Sequence, residues 1–289
     1  MAKEYLAGVS YSGETAQTVV LEVSEHGTVL RYLREHVRSS TAETWFLDSL
    51  LGARDRVVDR ASRVSIGLDH AALLLYKFPV DTSLTRPEQN EHVQWELSTV
   101  LADYQPKEFI NDLHYLSIQA REQTAEVFVV NVRRSLIFSV QALLSQRRHE
   151  LHIADANYFG AQHALLAAYP SVRNERVILA GFSRGRVDAG LVHQGRLLDF
   201  QYALFDTAES VVTLLRRLVA EFSPSTVYYF GMDQAAAVMA DVQGELPVPC
   251  IPLNPFARIS VNPSLDGYAP FEGSEHRLAS CVGIALRKV

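Results

Sequence analysis

The chain has 289 residues, 48% of them hydrophobic and 21% charged, a soluble globular balance with enough length for one large domain or two moderate ones. Its formal net charge of −6 comes with no basic run to follow a phosphate backbone, which argues against nucleic acid as a partner. No segment approaches the roughly 20 apolar residues of a membrane span, which argues against direct membrane insertion.

The N-terminus, MAKEYLAGVS, has no apolar signal-peptide core, and only two cysteines, Cys250 and Cys281, occur, far apart. The expectation is a cytoplasmic protein with both thiols reduced and buried, attached to a membrane only through a partner.

Apolar runs at Tyr5–Val9, Thr18–Val23 and Thr28–Leu33 are split by Ser12-Gly13 and His26-Gly27, which predicts a three-stranded meander. Ser40-Thr41 with Glu43 opens a predicted helix through Trp45, Leu47, Leu50 and Leu51, closed by Gly52. Arg63–Leu68 and Ala72–Phe78 read as strands. From Thr85 to Glu150 the pattern changes to a helix with Pro87 in its first turn, two strands (FINDLHYLSI and EVFVVNV), a helix (RRSLIFSVQALLSQR) and a strand (ELHIAD). A helix from Ala156 to Tyr169 leads into the second half.

There the order repeats. Runs at Arg176–Phe182, Val187–His193 and Arg196–Tyr202 are split by Arg184-Gly185 and Gln194-Gly195. Asp206-Thr207 caps a helix with Val211, Leu214, Leu215 and Leu218 on one face, followed by a strand at Ser225–Gly231. A helix from Asp233 to Val242, a strand in VPCIPL and a helix from His276 to Leu286 complete the chain. The order β-β-β-α-β therefore occurs twice, and the copies begin alike, with Leu6-Ala-Gly-Val-Ser10 and Leu179-Ala-Gly-Phe-Ser183. This predicts a duplicated α/β unit with a cleft between the copies.

Gly181-Phe-Ser-Arg-Gly185 is a G-x-S-x-G string, and Ser183, Asp233 and His276 follow in the chain order of an α/β-hydrolase triad. A nucleophile elbow needs a helix directly after the serine. Here RVDAGLVHQGRLLDF carries Gly190 and Gly195 and reaches a second turn within ten residues, so a hairpin is the better reading. The serine hydrolase stays as an alternative.

Four stretches in order resemble the PilM family of the actin-like ATPase superfamily, which serves type IV pilus assembly: YKFPVDTSLTRPEQNEHVQWELSTVLADYQP, VFVVNVRRSLIFSVQALLSQRRHELHIADANYFGAQHAL, LNPFARISV and CVGIALRKV. FtsA and the cytoplasmic domain of GspL are more distant relatives of that pattern. The resemblance implies two ribonuclease-H-like lobes around a nucleotide cleft with a small α+β inserted subdomain. The divisions it suggests are 1–84 for the first lobe, 85–150 for the insertion, 151–170 for the return and inter-lobe helix, and 171–289 for the second lobe.

Such proteins hold nucleotide with two Asp-x-Gly hairpin turns, whose glycines admit phosphate and whose aspartates order Mg²⁺. In this chain the aspartate positions fall on Ser10 and Gly181 and the glycine positions on Ser12 and Ser183, with Gly13 and Gly185 beside them. The adenosine turn keeps Gly231 alone, followed by Met232, and at the inter-lobe corner Asp155 is present while Asn157 replaces a frequent Glu. The resemblance thus implies a scaffold without ATP hydrolysis and with no cofactor. Its partner would be a PilN-like inner-membrane protein, whose short cytoplasmic peptide docks near the insertion. The alternative keeps nucleotide through altered loops, with Arg184 and Arg186 meeting phosphate directly.

His149 and His152 are expected at the surface, His92 and Glu96 as a surface pair on one helix, and Trp95, Leu97, Val100 and Leu101 in the core.

Overall fold

The computed structural model describes residues 3–119, 123–232 and 234–288. The first three strands, β1 (Glu4–Ser12), β2 (Thr15–Ser24) and β3 (Gly27–Val37), form an antiparallel meander with two-residue connections. Gly13 adopts φ +59° in the first of these turns, a conformation that costs glycine little.

The predicted helix after Ser40 is much shorter than its apolar spacing suggested. A 3₁₀ turn (Trp45–Leu47) runs into the single-turn helix α1 (Asp48–Leu51), and the Thr44 side chain makes no capping bond. The reason is burial on every side: Trp45, Phe46, Leu47 and Leu50 are all buried, and Phe46 stacks on Tyr11 at 4.3 Å. The segment is a plug against the sheet, not an amphipathic helix. A second short helix, α2 (Arg56–Arg60), is capped by the Asp55 carboxylate at 2.7 Å from the Val57 N–H.

Strand β4 (Arg63–Leu68) lies parallel to β1 and is buried from Val64 onward, as a continuous apolar run in a parallel sheet must be. Next come β5 (Leu73–Asp81), helix α3 (Arg86–Val100), β6 (Phe109–Gln119), β7 (Thr124–Arg133), helix α4 (Arg134–Gln146) and β8 (Glu150–Ala156). Strands β5, β7 and β6 make a separate antiparallel sheet covered by α3. The inserted sheet thus draws in β5, ahead of Thr85. Helix α4 contributes Leu136, Val140 and Leu144 to the first lobe's core, and β8 pairs in parallel with β4.

On α3, Gln89, Val93 and Leu97 recur every four residues and face the sheet. Trp95 and Val100 lie on the opposite face, 60% and 52% exposed, which corrects the expectation that they are core. His92 and Glu96 approach to 3.7 Å at the surface. His149 is also corrected: it is buried, with Nδ1 2.7 Å from the Ala61 carbonyl.

Helix α5 (Asn157–Ala168) crosses to the second lobe, whose strands β9 (Arg176–Ser183), β10 (Arg186–His193) and β11 (Arg196–Leu204) repeat the meander. Helix α6 (Ala208–Phe222), β12 (Thr226–Gly231), α7 (Gln234–Gln243) and β13 (Cys250–Pro252) follow, with α8 (Ala279–Leu286) last. The two large sheets have matching orders, β3-β2-β1-β4-β8 and β11-β10-β9-β12-β13, with the last two pairings parallel in each. The duplication read from the sequence is therefore present in the architecture.

The closing helix is shorter than predicted because His276 belongs to a 3₁₀ turn, Glu275–Leu278, before α8. Helices α5 and α8 touch through glycines: a Cβ on Gly283 would lie 1.8 Å from the Gly160 carbonyl oxygen. Cys281 is buried here, its thiol donating to the Gly8 carbonyl at 3.1 Å, and burial pushes it up to about 12. Cys250 is free and only half-buried, which corrects its expected burial.

Candidate functional site: the inter-lobe cleft

The carboxyl ends of β1, β4, β9 and β12 converge on a cavity of about 320 Å³ between the lobes. Ser10, Ser12 and Gly13 arrive from the first hairpin, Gly181, Ser183 and Arg184 from the second, and Gly231 with Met232 from β12. Gly185 sits at φ +67° in the second turn. The positions named from the sequence thus line one cavity, Gly185 excepted.

The G-x-S-x-G string is a hairpin: β9 ends at Ser183 and β10 begins at Arg186, paired antiparallel with Phe182 facing Val187. No helix follows the serine. The Ser183 hydroxyl lies 3.1 Å from His70 Nδ1. Asp69 Oδ1 approaches that same nitrogen at 2.9 Å. A nucleophile–base–acid relay needs the two ring nitrogens separately, one for each neighbour. His276 packs instead on the Tyr229 ring, 5.5 Å between centroids, and Asp233 lies outside the described residues.

Sequence reading missed Asp69, His70 and Asp188, all of which line the cleft. Asp69 follows β4 directly and is buried; its Oδ2 accepts the Gly13 N–H and its Oδ1 the Ala71 N–H, each at 2.8 Å. Burial alone would raise its pKa, yet His70 and these backbone donors outweigh burial and hold it below the ordinary carboxylate value. The Asp-His pair immediately after a buried strand was the available signal.

Asp188 stands directly across the hairpin from Gly181, and its Oδ1 accepts from Arg186 Nε at 2.7 Å. Burial pushes its pKa up, with Arg186 pulling the other way. Only strand register reveals Asp188 as a cleft residue, because it pairs with Gly181 from the neighbouring strand.

Gly181 itself is dictated by packing. A Cβ there would lie 2.4 Å from the tip of the Phe230 ring, so Phe230 fills the volume that a side chain at position 181 needs. Gly231, at φ +110°, is pressed against the Phe182 carbonyl at 2.1 Å from its notional Cβ. At the corner, Asp155 pairs with Arg287, and Asn157 Nδ2 donates to the Tyr11 carbonyl at 2.7 Å. Arg186 is committed to Asp188 and lies over the Tyr202 ring at 4.1 Å, while Arg184 is exposed. Among the described residues no three His, Cys, Asp or Glu side chains gather as a metal set.

A second cavity, of about 360 Å³, opens between β6, α5 and the β10–β11 turn. Phe159, Leu166 and Leu197 form its apolar walls, and His114, His163, Arg196 and Arg287 its basic ones. The insertion reaches the second lobe nearby through Lys77 and Asp199 at 3.1 Å and through Phe128 against Phe200, 4.3 Å between centroids.

Two lobes of like topology around a cleft, with a small sheet inserted in the first, define an actin-like fold. Solved structures agree. The PilM–PilN type IV pilus biogenesis complex contains a chain similar to this one, with a TM-score of 0.73 at 17% identity over 98% of each chain. A Bacteroides thetaiotaomicron protein with actin-like ATPase fold aligns at TM-score 0.55 and 12% identity, covering 86% of this chain and 90% of the other. The cytoplasmic domain of EpsL, an inner-membrane component of the Vibrio cholerae type II secretion system, aligns at 0.50 and 12%, covering 91% and 88%. At these identities the likeness is one of fold. No family model matches the sequence, and no curated relative matches it. No helix among the described residues is long and apolar enough to cross a membrane.

Proposed function

We propose that the chain is a cytoplasmic actin-like pseudo-ATPase: a scaffold binding the short cytoplasmic tail of a PilN-like inner-membrane protein in a pilus or secretion assembly. Its likeness to a chain of the PilM–PilN complex over nearly its whole length supports the assembly class. The observation that carries the loss of nucleotide chemistry is the set of contacts the cleft makes with itself. Asp69 takes the Gly13 N–H, a hairpin donor that a phosphate would need, and His70 bridges from the first lobe to Ser183 in the second. Phe230 fills the space beside Gly181. The residues present do not fit Mg-ATP, which needs hard carboxylate oxygens free to order the metal and its waters.

A second reading, a nucleotide-binding ATPase with altered loops, draws on Asp69, Asp188 and the exposed Arg184 lining the cleft. It is the weaker one. Both Asp69 oxygens are engaged by backbone donors, and Asp188 Oδ1 is already paired with Arg186 at 2.7 Å. On the scaffold reading the tail seats in the groove beside the inserted sheet, where Leu113, His114 and Tyr115 of β6 line the wall.

The scaffold reading is tested by titrating the protein with a peptide copy of the cytoplasmic N-terminal tail of a PilN-like one-span protein. Saturable binding is expected; silence at high micromolar peptide contradicts the reading. A fluorophosphonate probe that labels Ser183 would establish the hydrolase alternative, and an inert Ser183 removes it.

A further inference from the structure

One wall of the inter-lobe cavity is made of rings. Phe128 of the insertion, Tyr158 of α5, Phe200 of β11 and Phe230 of β12 all line it, and all are buried. They touch in a run: Phe128 lies on Phe200 with centroids 4.3 Å apart, Phe200 meets Tyr158 edge-on at 5.1 Å, and Tyr158 meets Phe230 at 6.2 Å. The Tyr158 hydroxyl donates to the Leu179 carbonyl at 3.3 Å, so this wall offers ring surface rather than a free proton. The charged groups of the cavity answer one another. Glu35 takes Arg277 at 2.7 Å and 3.0 Å, Asp69 lies 2.9 Å from His70, and Asp188 takes Arg186 at 2.7 Å. The two that remain, Glu14 and Arg184, have opposite signs and are exposed in the two hairpin turns. A charged ligand would shed its water against aromatic rings, with no unpaired counter-charge inside to meet it.

His70 supplies the polar atom for recognition. An ionised Asp69 oxygen only accepts, so the proton between it and His70 sits on Nδ1, an assignment made from the hydrogen-bond network. Ser183 Oγ, 3.1 Å from the same nitrogen, shares that proton and turns its own hydrogen to the Arg186 carbonyl at 3.4 Å. Nε2 of the neutral ring therefore carries a lone pair, and it makes no hydrogen bond among the described residues. The imidazole is 23% exposed and lines the cavity, so a ligand can reach it. The volume sets the size. At about 320 Å³ the cavity is roughly twice the ~150 Å³ that holds one benzene ring.

We infer that the inter-lobe cleft binds a neutral aromatic molecule of two fused rings bearing one N–H or O–H, its rings against Phe128, Phe200 and Phe230 and its donor on His70 Nε2. The inference goes beyond the scaffold reading and does not depend on it. It concerns what the cleft takes in place of Mg-ATP, and a peptide bound beside the insertion neither supports nor removes it.

The probe is indole, titrated into the protein by calorimetry. It is compared with 1-methylindole, which keeps the rings and loses the N–H, and with indole-3-acetate, which adds a carboxylate. Expected is saturable one-to-one binding of indole with a Kd below about 1 mM. 1-Methylindole should bind about fivefold more weakly or worse, and indole-3-acetate more weakly still. His70→Leu should bring indole down to the level of 1-methylindole and leave 1-methylindole itself unchanged, a split that mere loosening of the lobes would not produce. Leu75→Trp, at a half-buried position on the cavity wall, projects a bulky ring into the space and should abolish binding of both neutral probes. Both variants are checked for the parent's circular dichroism spectrum; should either unfold, the three probes on the parent protein still decide. No saturation by indole below about 1 mM overturns the inference, as does equal affinity for indole and 1-methylindole. Preference for indole-3-acetate overturns it by marking an anion site. Indole binding that survives Leu75→Trp places the ligand outside this cleft and overturns it as well.

Discussion

Gly181 shows how a single position reports on the cleft. Restoring the acid with Gly181→Asp forces a Cβ to within 2.4 Å of the Phe230 ring, an overpacking expected to cost about 1–3 kcal/mol in urea unfolding. The same substitution combined with Phe230→Ala should destabilise by less than the sum of the two single changes, because each relieves the other's misfit. Strict additivity would mean the two side chains do not compete. Asp69 carries the pH dependence. Its folded pKa lies below its ordinary value, so its contribution is whole above about pH 4 and is lost as pH falls through the folded value. Asp69→Asn should therefore lower stability by about 1–3 kcal/mol at pH 7, with the gap to the parent closing in acid. A gap that stays constant down to pH 3 would show that the carboxylate's charge plays no part. Ser10, Ser12, Gly181 and Ser183 were legible as cleft positions only through the resemblance to actin-like hairpin turns, with Ser12 and Ser183 ending strands before glycine turns. Asp188 was not, since it enters the cleft only through its antiparallel pairing with Gly181, and pairing register between strands is not written in local pattern.

At the level of elements, the crossing of α5 and α8 is the tightest constraint. Gly283→Ala drives a methyl into the Gly160 carbonyl, backbone that cannot give way without moving a helix, and should cost about 3 kcal/mol or more. A loss under 1 kcal/mol would show that the helices have slack. On α3 the Thr85–Glu88 capping box, with the Thr85 N–H 2.7 Å from Glu88 Oε2, should make Thr85→Ala cost about 1 kcal/mol. The strands were readable because Gly-containing turns punctuate alternating or continuous apolar runs. The element after Ser40 was not, because Trp45, Phe46, Leu47 and Leu50 are buried on all sides and so carry no helical stripe. Trp95 and Val100 failed for the opposite reason: hydrophobic residues on α3 face both inward and outward, and only the sheet beneath Val93 and Leu97 decides which face is core.

For the whole molecule, duplication was visible in element order and is present in the matching strand orders of the two large sheets. What the order could not convey is how the halves are tied. The chain after β13 returns to the first lobe, where Ser260 bridges to Val29 and Arg277 grips the Glu35 carboxylate at 2.7 Å and 3.0 Å. Across the cleft, His70 meets Ser183, and Lys77 meets Asp199. These ties join the lobes through side chains, and the proposed scaffold without ATP chemistry would rely on them where a bound nucleotide would otherwise bridge. The most direct measurement is isothermal titration calorimetry with Mg-ATP. A scaffold whose cleft residues are engaged with one another should show no binding tighter than about 100 µM, roughly −5.5 kcal/mol. Saturable binding tighter than that, dependent on Mg²⁺, would contradict it.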